Sequence, residues 1–295
     1  MANLKEVRDR IKSVRSTQQI TKAMKMVAAA KLRKAQQAIT RLRPYSEKLN
    51  EMLSNILSNL EGEAQSVYGM ERDIERVLVV VVTSNRGLAG AFNSNLIKAA
   101  IRQINERYSE QRRAGNLSMM FVGKRGFDYF RKRYEDVTII DDHVELFNDL
   151  TFDNVKQIPN ALMQAFKEGT YDRVDVVYAR FQNAVMQDFI ADQFLPVQKI
   201  EATESTTRAD YIFEPDQETL LEELVPSILQ VQFQKYLLDT HASEHGARMT
   251  AMDKATENAD ELLKELKVNY NKARQEAITR ELSEIVGGAA ALESA

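Results

Sequence analysis

VLVVVVTSNRGLAGAFN, residues 77–93, decides how this chain is read. Val77 to Val82 are six apolar residues in a row. With no polar alternation, neither face can meet water, so the run reads as a strand buried on both sides. A turn containing Gly87 and Gly90 follows, and a helix is expected from Asn93. Strand, glycine turn and helix come in the order of a phosphate-binding loop. The spacing argues against one. A dinucleotide loop needs G-x-G-x-x-G, and only Leu88 and Ala89 stand between these two glycines. A Walker A loop needs a second glycine five places after the first, and that position is Phe92. The turn Gly123-Lys124-Arg125-Gly126 fails too, because Ser118 stands where the first glycine belongs. Both turns read as steric requirements of a strand-to-helix corner. No nucleotide, and no cofactor of any kind, is expected.

Working outward, strands and helices alternate. A helix is predicted from Asn93 to Tyr108, a strand over Leu117–Val122 and a short helix ending at Phe130. Further strands are expected at Val137–Ile140, Val174–Ala179 and Met186–Val197, with a helix over Val155–Lys167. This pattern gives a Rossmann-like α/β domain with a mostly parallel sheet, spanning about residues 75–200. An acidic, turn-rich exit linker is predicted from Glu201 to Asp216.

The two ends follow another rule. Leu4, Val7, Ile11 and Val14 step by three and four, and the register continues through Gln18, Thr21, Lys25, Ala28, Leu32, Ala35, Ile39 and Leu42. It ends at Ser46, Leu49, Leu53, Ile56 and Leu60. A seven-residue repeat held for eight heptads is a coiled-coil signal. Asn3 and Glu6 have capping-box spacing, Gln18, Thr21 and Lys25 are a polar weak point, and Pro44 is expected to kink or loosen the helix. The C-terminal segment, residues 216–295, repeats the pattern from Leu221 through Val231, His245, Met252, Ala259 and Leu266. Pro226 is tolerable there only near the first turns, and Gly287 and Gly288 are expected to end the helix. The N-terminal helix, residues 1–60, would reach roughly 85 Å at about 1.5 Å per residue. That is longer than one domain core can cover. The expected fold is therefore α/β with a long antiparallel helical pair, the sheet domain lying at one end.

Charge divides the chain. Residues 1–43 carry twelve Lys and Arg against Glu6 and Asp9, while the remainder holds 28 basic and 41 acidic residues. So one-sided a segment suggests an anionic partner. There is no Cys, which excludes disulfides, thiolate metal sites and a cysteine nucleophile. The longest apolar run falls far short of the ~20 residues that span a bilayer. The basic N-terminus reads as mature structure, because its apolar repeat begins at Leu4. His241 and His245 lie four apart with Glu244 between them, but the order is not His-Glu-x-x-His, so packing is favoured over a metal site. No G-x-S-x-G elbow is present. The residues alone leave one alternative, a coiled-coil scaffold or nucleic-acid-binding protein. The interleaving of the basic residues with the heptads disfavours a basic zipper.

Several stretches resemble one family in order along nearly the whole chain. ITRELSEIVGGAAA (278–291) matches the C-terminal signature of the gamma subunit of F-type ATP synthases. IKSVRSTQQITKAMKMVAAAKLRKAQ (11–36), RPYSEKL (43–49), VVTSNRGLAGAFN (81–93) and HASEHGARMTAMDKAT (241–256) are similar to the same subunit. The resemblance implies a non-catalytic rotor of the central stalk. Its helical pair turns inside a hexamer of alpha and beta subunits, and its α/β domain meets the epsilon subunit and the ring of c subunits. It implies contact with the membrane only through that ring, no nucleic acid, no metal, and a place on the cytoplasmic face of a bacterial plasma membrane. The cysteine-bearing insert of the chloroplast form is absent. By motif, Arg248 and Gln275 are implied to meet beta-subunit catch loops, with Thr279 beside them and Met24 nearby. Arg248→Glu is then expected to weaken coupling with little loss of fold.

Overall fold

The computed structural model describes residues 4–59, 67–70, 72–197 and 217–293. The elements in order are α1 (Leu4–Asn59), β1 (Val77–Val82), α2 (Phe92–Arg107), α3 (Ser109–Arg113), β2 (Leu117–Val122) and α4 (Lys124–Phe130). They continue with β3 (Thr138–Ile140), α5 (Phe152–Val155), α6 (Gln157–Lys167), β4 (Arg173–Phe181), β5 (Gln187–Leu195) and α7 (Gln217–Glu293). Asn3, Leu60 and the expected linker Glu201–Asp216 lie outside the described residues, as do the side chains of Leu53, Ile56 and Leu221. Contacts divide the chain into two compact units. Ala29–Arg248 form one, and Met1–Ala28 with Met249–Ala295 form the other. No helix among the described residues is long and apolar enough to cross a membrane.

The first unit is built on a five-stranded sheet in the order β3-β2-β1-β4-β5. β1 pairs in parallel with both β2 and β4, and β2 with β3, whereas β5 runs antiparallel to β4. β1 is central, so all six of its residues are fully buried. Its alternating side chains supply both cores. Leu78, Val80 and Val82 pack with Ile158, Leu162 and Phe166 of α6 and with Leu229, Phe233 and Leu237 of α7. Val77, Val79 and Val81 face Leu96, Ala100 and Ile104 of α2 and Phe130 of α4. Each large apolar side chain so buried contributes about 1.5–3 kcal/mol. Polar groups pin α7 to the sheet. The Ala179 amide donates to Thr240 Oγ1 at 3.2 Å, and Ser243 Oγ donates to the Ala179 carbonyl at 3.3 Å. A single residue at the end of β4 thus has both backbone groups met by α7.

The second unit is an antiparallel helix pair. Val7, Thr21 and Ala28 of α1 and Met252, Ala259, Leu263 and Leu266 of α7 are buried. The polar stretch of the seam, expected to be weak, forms cross-helix pairs. Arg8 donates to Tyr270 Oη (3.1 Å), Gln18 to Asp260 and Lys25 to Asp253, and Thr21 shares a hydrogen bond with Thr256 (2.8 Å). Partner numbers fall on α7 as they rise on α1, which fixes both direction and register. An apolar seam tolerates slippage by a heptad, whereas misaligned polar pairs would leave unmet groups.

One expectation is corrected. The helix does not stop at Gly287 and Gly288; it continues to Glu293. Gly can adopt helical angles, nothing lies within 4 Å of either glycine's Cβ position, and the alanines that follow are strong helix formers. Both prolines are carried inside helices. α1 continues through Pro44, and Pro226 is the tenth residue of α7.

Candidate functional site

The 83–93 loop uses its polar groups internally. The Thr83 amide donates to the Val122 carbonyl at 2.7 Å, and Thr83 Oγ1 accepts from the Gly126 amide at 2.8 Å. The Ser84 amide donates to Asn93 Oδ1 at 3.0 Å, and Ser84 Oγ donates to the Arg86 carbonyl at 2.7 Å. Asn85 Oδ1 accepts from the Lys124 amide at 3.3 Å. Asn93 therefore braces the loop from the start of α2. Gly123 explains the second glycine turn. Its φ is +103°, and a Cβ there would lie 2.0 Å from the Thr83 carbonyl oxygen. Gly123 thus lets the two turns come together.

Arg86 and Leu88 point outward. Leu88 is 66% exposed, and its φ of 63° is a left-handed conformation uncommon for leucine. Strain of this kind persists only where the surroundings over-determine it. The over-determining group is Arg248. One terminal nitrogen, Nη2, donates to the carbonyls of Arg86 (3.2 Å) and Gly87 (3.1 Å). The other, Nη1, donates to Glu244 Oε1 (2.5 Å) and to His245 Nδ1 (3.3 Å). Arginine only donates, so Nδ1 of His245 must accept and its proton resides on Nε2. That nitrogen then donates to Nε2 of His241, 3.0 Å away. The chain Arg248–His245–His241 has one direction and requires both imidazoles neutral. Phe147 stacks on His241 with centroids 5.9 Å apart.

Burial, reinforced by Lys31, Arg248 and Lys34, holds His241 down at about 4. Burial, His241 and Arg248 hold His245 at about 3. Burial pushes the Glu244 carboxyl up, and Arg248 opposes the shift. Both histidines thus have folded pKa values below their unfolded ones. The stability they contribute is present above about pH 6.5 and is lost as pH falls toward 4. We expect the melting temperature to decline over that window, and the decline to shrink in His241→Gln. Thermal unfolding from pH 7.5 to 4.5 of both proteins checks this; equal slopes would refute the neutral relay.

The four residues singled out by sequence divide between the units. Arg248 is 7% exposed in the sheet-bearing unit. Gln275 and Thr279 are exposed, one turn apart on α7, and Met24 is half-buried on α1. Arg248, implied by the motif to meet beta-subunit catch loops, is buried in this chain and joins α7 to the 83–93 loop. The relay and the exposed Leu88 were not read from sequence. Glu244 and Arg248 at i,i+4 were a visible signal, but the loop carbonyls lie some 160 residues away.

Among the described residues, no group of three or more His, Asp or Glu could hold a metal ion. The site's features are an exposed leucine, a basic rim of Arg86, Lys124 and Arg125 and a buried clamp. These are features suited to contact with another surface.

Comparison with known proteins agrees. Residues 3–292 match the family described as ATP synthase. The chain is 53% identical over 297 residues to the ATP synthase gamma chain of Cytophaga hutchinsonii, covering all of both chains. It is 50% identical to that of Flavobacterium psychrophilum, covering 99% of this chain and 100% of that one. Among solved structures it is similar to a chain of the Euglena gracilis mitochondrial ATP synthase OSCP/F1/c-ring assembly. The TM-score is 0.68 at 25% identity, with 99% of this chain and 95% of that one covered. The scaffold and nucleic-acid alternatives are not favoured by these matches. A chain that aligns end to end with gamma chains, and shares their fold, belongs to the gamma-subunit family of F-type ATP synthases.

Proposed function

We propose that this chain is the central-stalk rotor of a proton-translocating F-type ATP synthase, coupling c-ring rotation to ATP synthesis and hydrolysis on the beta subunits. It has no catalytic site of its own. Alpha and beta subunits surround the helix pair, and the epsilon subunit and c ring meet the sheet-bearing unit. The assembly lies on the cytoplasmic face of a bacterial membrane, which this chain contacts only through the ring. The observation that carries the reading is α7, one unbroken helix of 77 residues contributing to both compact units. Within the helix pair, the polar pairs of the seam resist sliding. One asymmetric chain facing three equivalent partners can favour a different state in each, which is coupling by differential binding.

Gln275, Thr279 and Met24 are proposed as beta-subunit contacts, supported by the exposure of the first two. Arg248 is proposed to act on the same partners by holding the loop that presents Arg86 and Leu88. Reconstitution with alpha and beta subunits and membranes tests the reading. The chain should co-purify with both, and ATP-driven proton pumping should require it. Failure to assemble, or pumping that does not need the chain, would overturn it.

A further inference from the structure

A cavity of about 580 Å³ opens in the sheet-bearing unit, away from the 83–93 loop. Its walls include Gln36 and Arg43 of α1, Arg180 at the end of β4, Gln182 just beyond it, and Lys235 and Asp239 of α7. The three cations stand on three elements and are exposed. Arg180 reaches Asp188 at 3.2 Å. Among the described residues, Arg43 and Lys235 close no ion pair. Asp239 is only 5% exposed, yet its carboxylate accepts no hydrogen bond and closes no ion pair among the described residues.

Buried carboxylates are ordinarily satisfied by hydrogen bonds or by a touching cation. Here the carboxylate and the cations face one another across open space without meeting. Such a set is satisfied by something placed between them that carries acceptors both for the cations and for a protonated acid. The volume falls within the roughly 300–1,000 Å³ usual for small-molecule pockets. Phosphate oxygens accept well from arginine and lysine, and equally from a protonated carboxyl. We propose that this cavity binds a small phosphate-bearing anion through Arg43, Arg180 and Lys235, with the protonated Asp239 carboxyl donating a hydrogen bond to a ligand oxygen.

The same groups set a pH signature. Burial holds the Asp239 carboxyl up at about 6, opposed by Lys235, Arg180 and Arg43. Glu47 is the other acid in the wall. A bound anion raises Asp239 further, so binding takes up a proton. The affinity this contributes is full below pH 6 and falls as pH rises above it.

Isothermal titration of inorganic pyrophosphate into the full chain tests the site. Saturable one-to-one binding is expected. Lys235→Gln and Arg43→Gln, both at exposed positions, should each weaken it at least tenfold with unchanged melting temperature. Between pH 6 and 8 the wild type should lose affinity relative to Asp239→Asn, a comparison that cancels the ionisation of pyrophosphate itself. No saturable heat at millimolar pyrophosphate would overturn the proposal, as would binding that both cation variants leave intact. A constant ratio between wild type and Asp239→Asn would overturn the role of Asp239.

Discussion

Arg248→Glu is expected to lower the melting temperature of the chain by on the order of 10 °C. Arg248 is buried, and its two terminal nitrogens bridge Glu244 and His245 on α7 to the carbonyls of Arg86 and Gly87. A carboxylate in its place would face Glu244 at short range and leave both carbonyls without their donor. Breaking a buried pair by removing one partner costs about 3–5 kcal/mol, and each kcal/mol shifts a unit of this size by roughly 2–4 °C. This differs from the little loss of fold that the motif alone implies. Arg248→Lys separates charge from geometry. It keeps a cation for Glu244 but cannot reach both sets of acceptors with a planar fork. A smaller drop, roughly 1–2 kcal/mol, is expected, with the turn at Leu88 loosened. Calorimetry on the three proteins decides. If Arg248→Glu melts like the wild type, the junction is not structural. Coupling measured in reconstituted membranes then has a physical interpretation, because a loss in Arg248→Lys with the fold retained would point to the position of the loop.

What could be read from the sequence follows the range of the forces. β1 and β2 were read to the residue: β1 is a six-residue apolar run between Arg76 and Thr83, and β2 is an apolar stretch, interrupted only by Ser118, between Asn116 and the Gly123 turn. The long helices were legible from their repeat. α3 and α5, of five and four residues, are too short to show a period. The antiparallel direction of β5 is set by its hairpin with β4 and leaves no mark in composition. The seam illustrates the limit best. Gln18, Thr21 and Lys25 looked like defects in a heptad pattern, since their partners Asp260, Thr256 and Asp253 are more than 220 residues away. The candidate site was half legible for the same reason. Exposure of Gln275 and Thr279 accords with a solvent-facing helix pattern, but the burial of Arg248 depends on a loop from the other half of the chain.

Gly123→Ala is expected to damage the sheet-bearing unit more than any other single methyl group considered. The new Cβ would stand 2.0 Å from the Thr83 carbonyl oxygen and 2.9 Å from its Oγ1, and the backbone there has φ +103°. Neither term relaxes easily. The oxygen is backbone at the end of a central strand, and the Thr83 amide is tied to the Val122 carbonyl on the other side of the same corner. Left-handed strain of about 1–3 kcal/mol adds to overpacking of about 1–3 kcal/mol, so a loss of roughly 3 kcal/mol or more is expected. Separating the two turns also moves Ser84 and Asn85, and with them the loop that Arg248 holds. Gly287→Ala is the matched control. Its Cβ meets nothing within 4 Å, and the glycine lies inside α7. Replacing a helical glycine by alanine should raise helix stability by about 1 kcal/mol. Opposite signs in thermal unfolding of the full chain, with the larger change in Gly123→Ala, are the expected result. A wild-type melt for Gly123→Ala would mean the corner can open without loss, and that the loop's position is set by Arg248 alone.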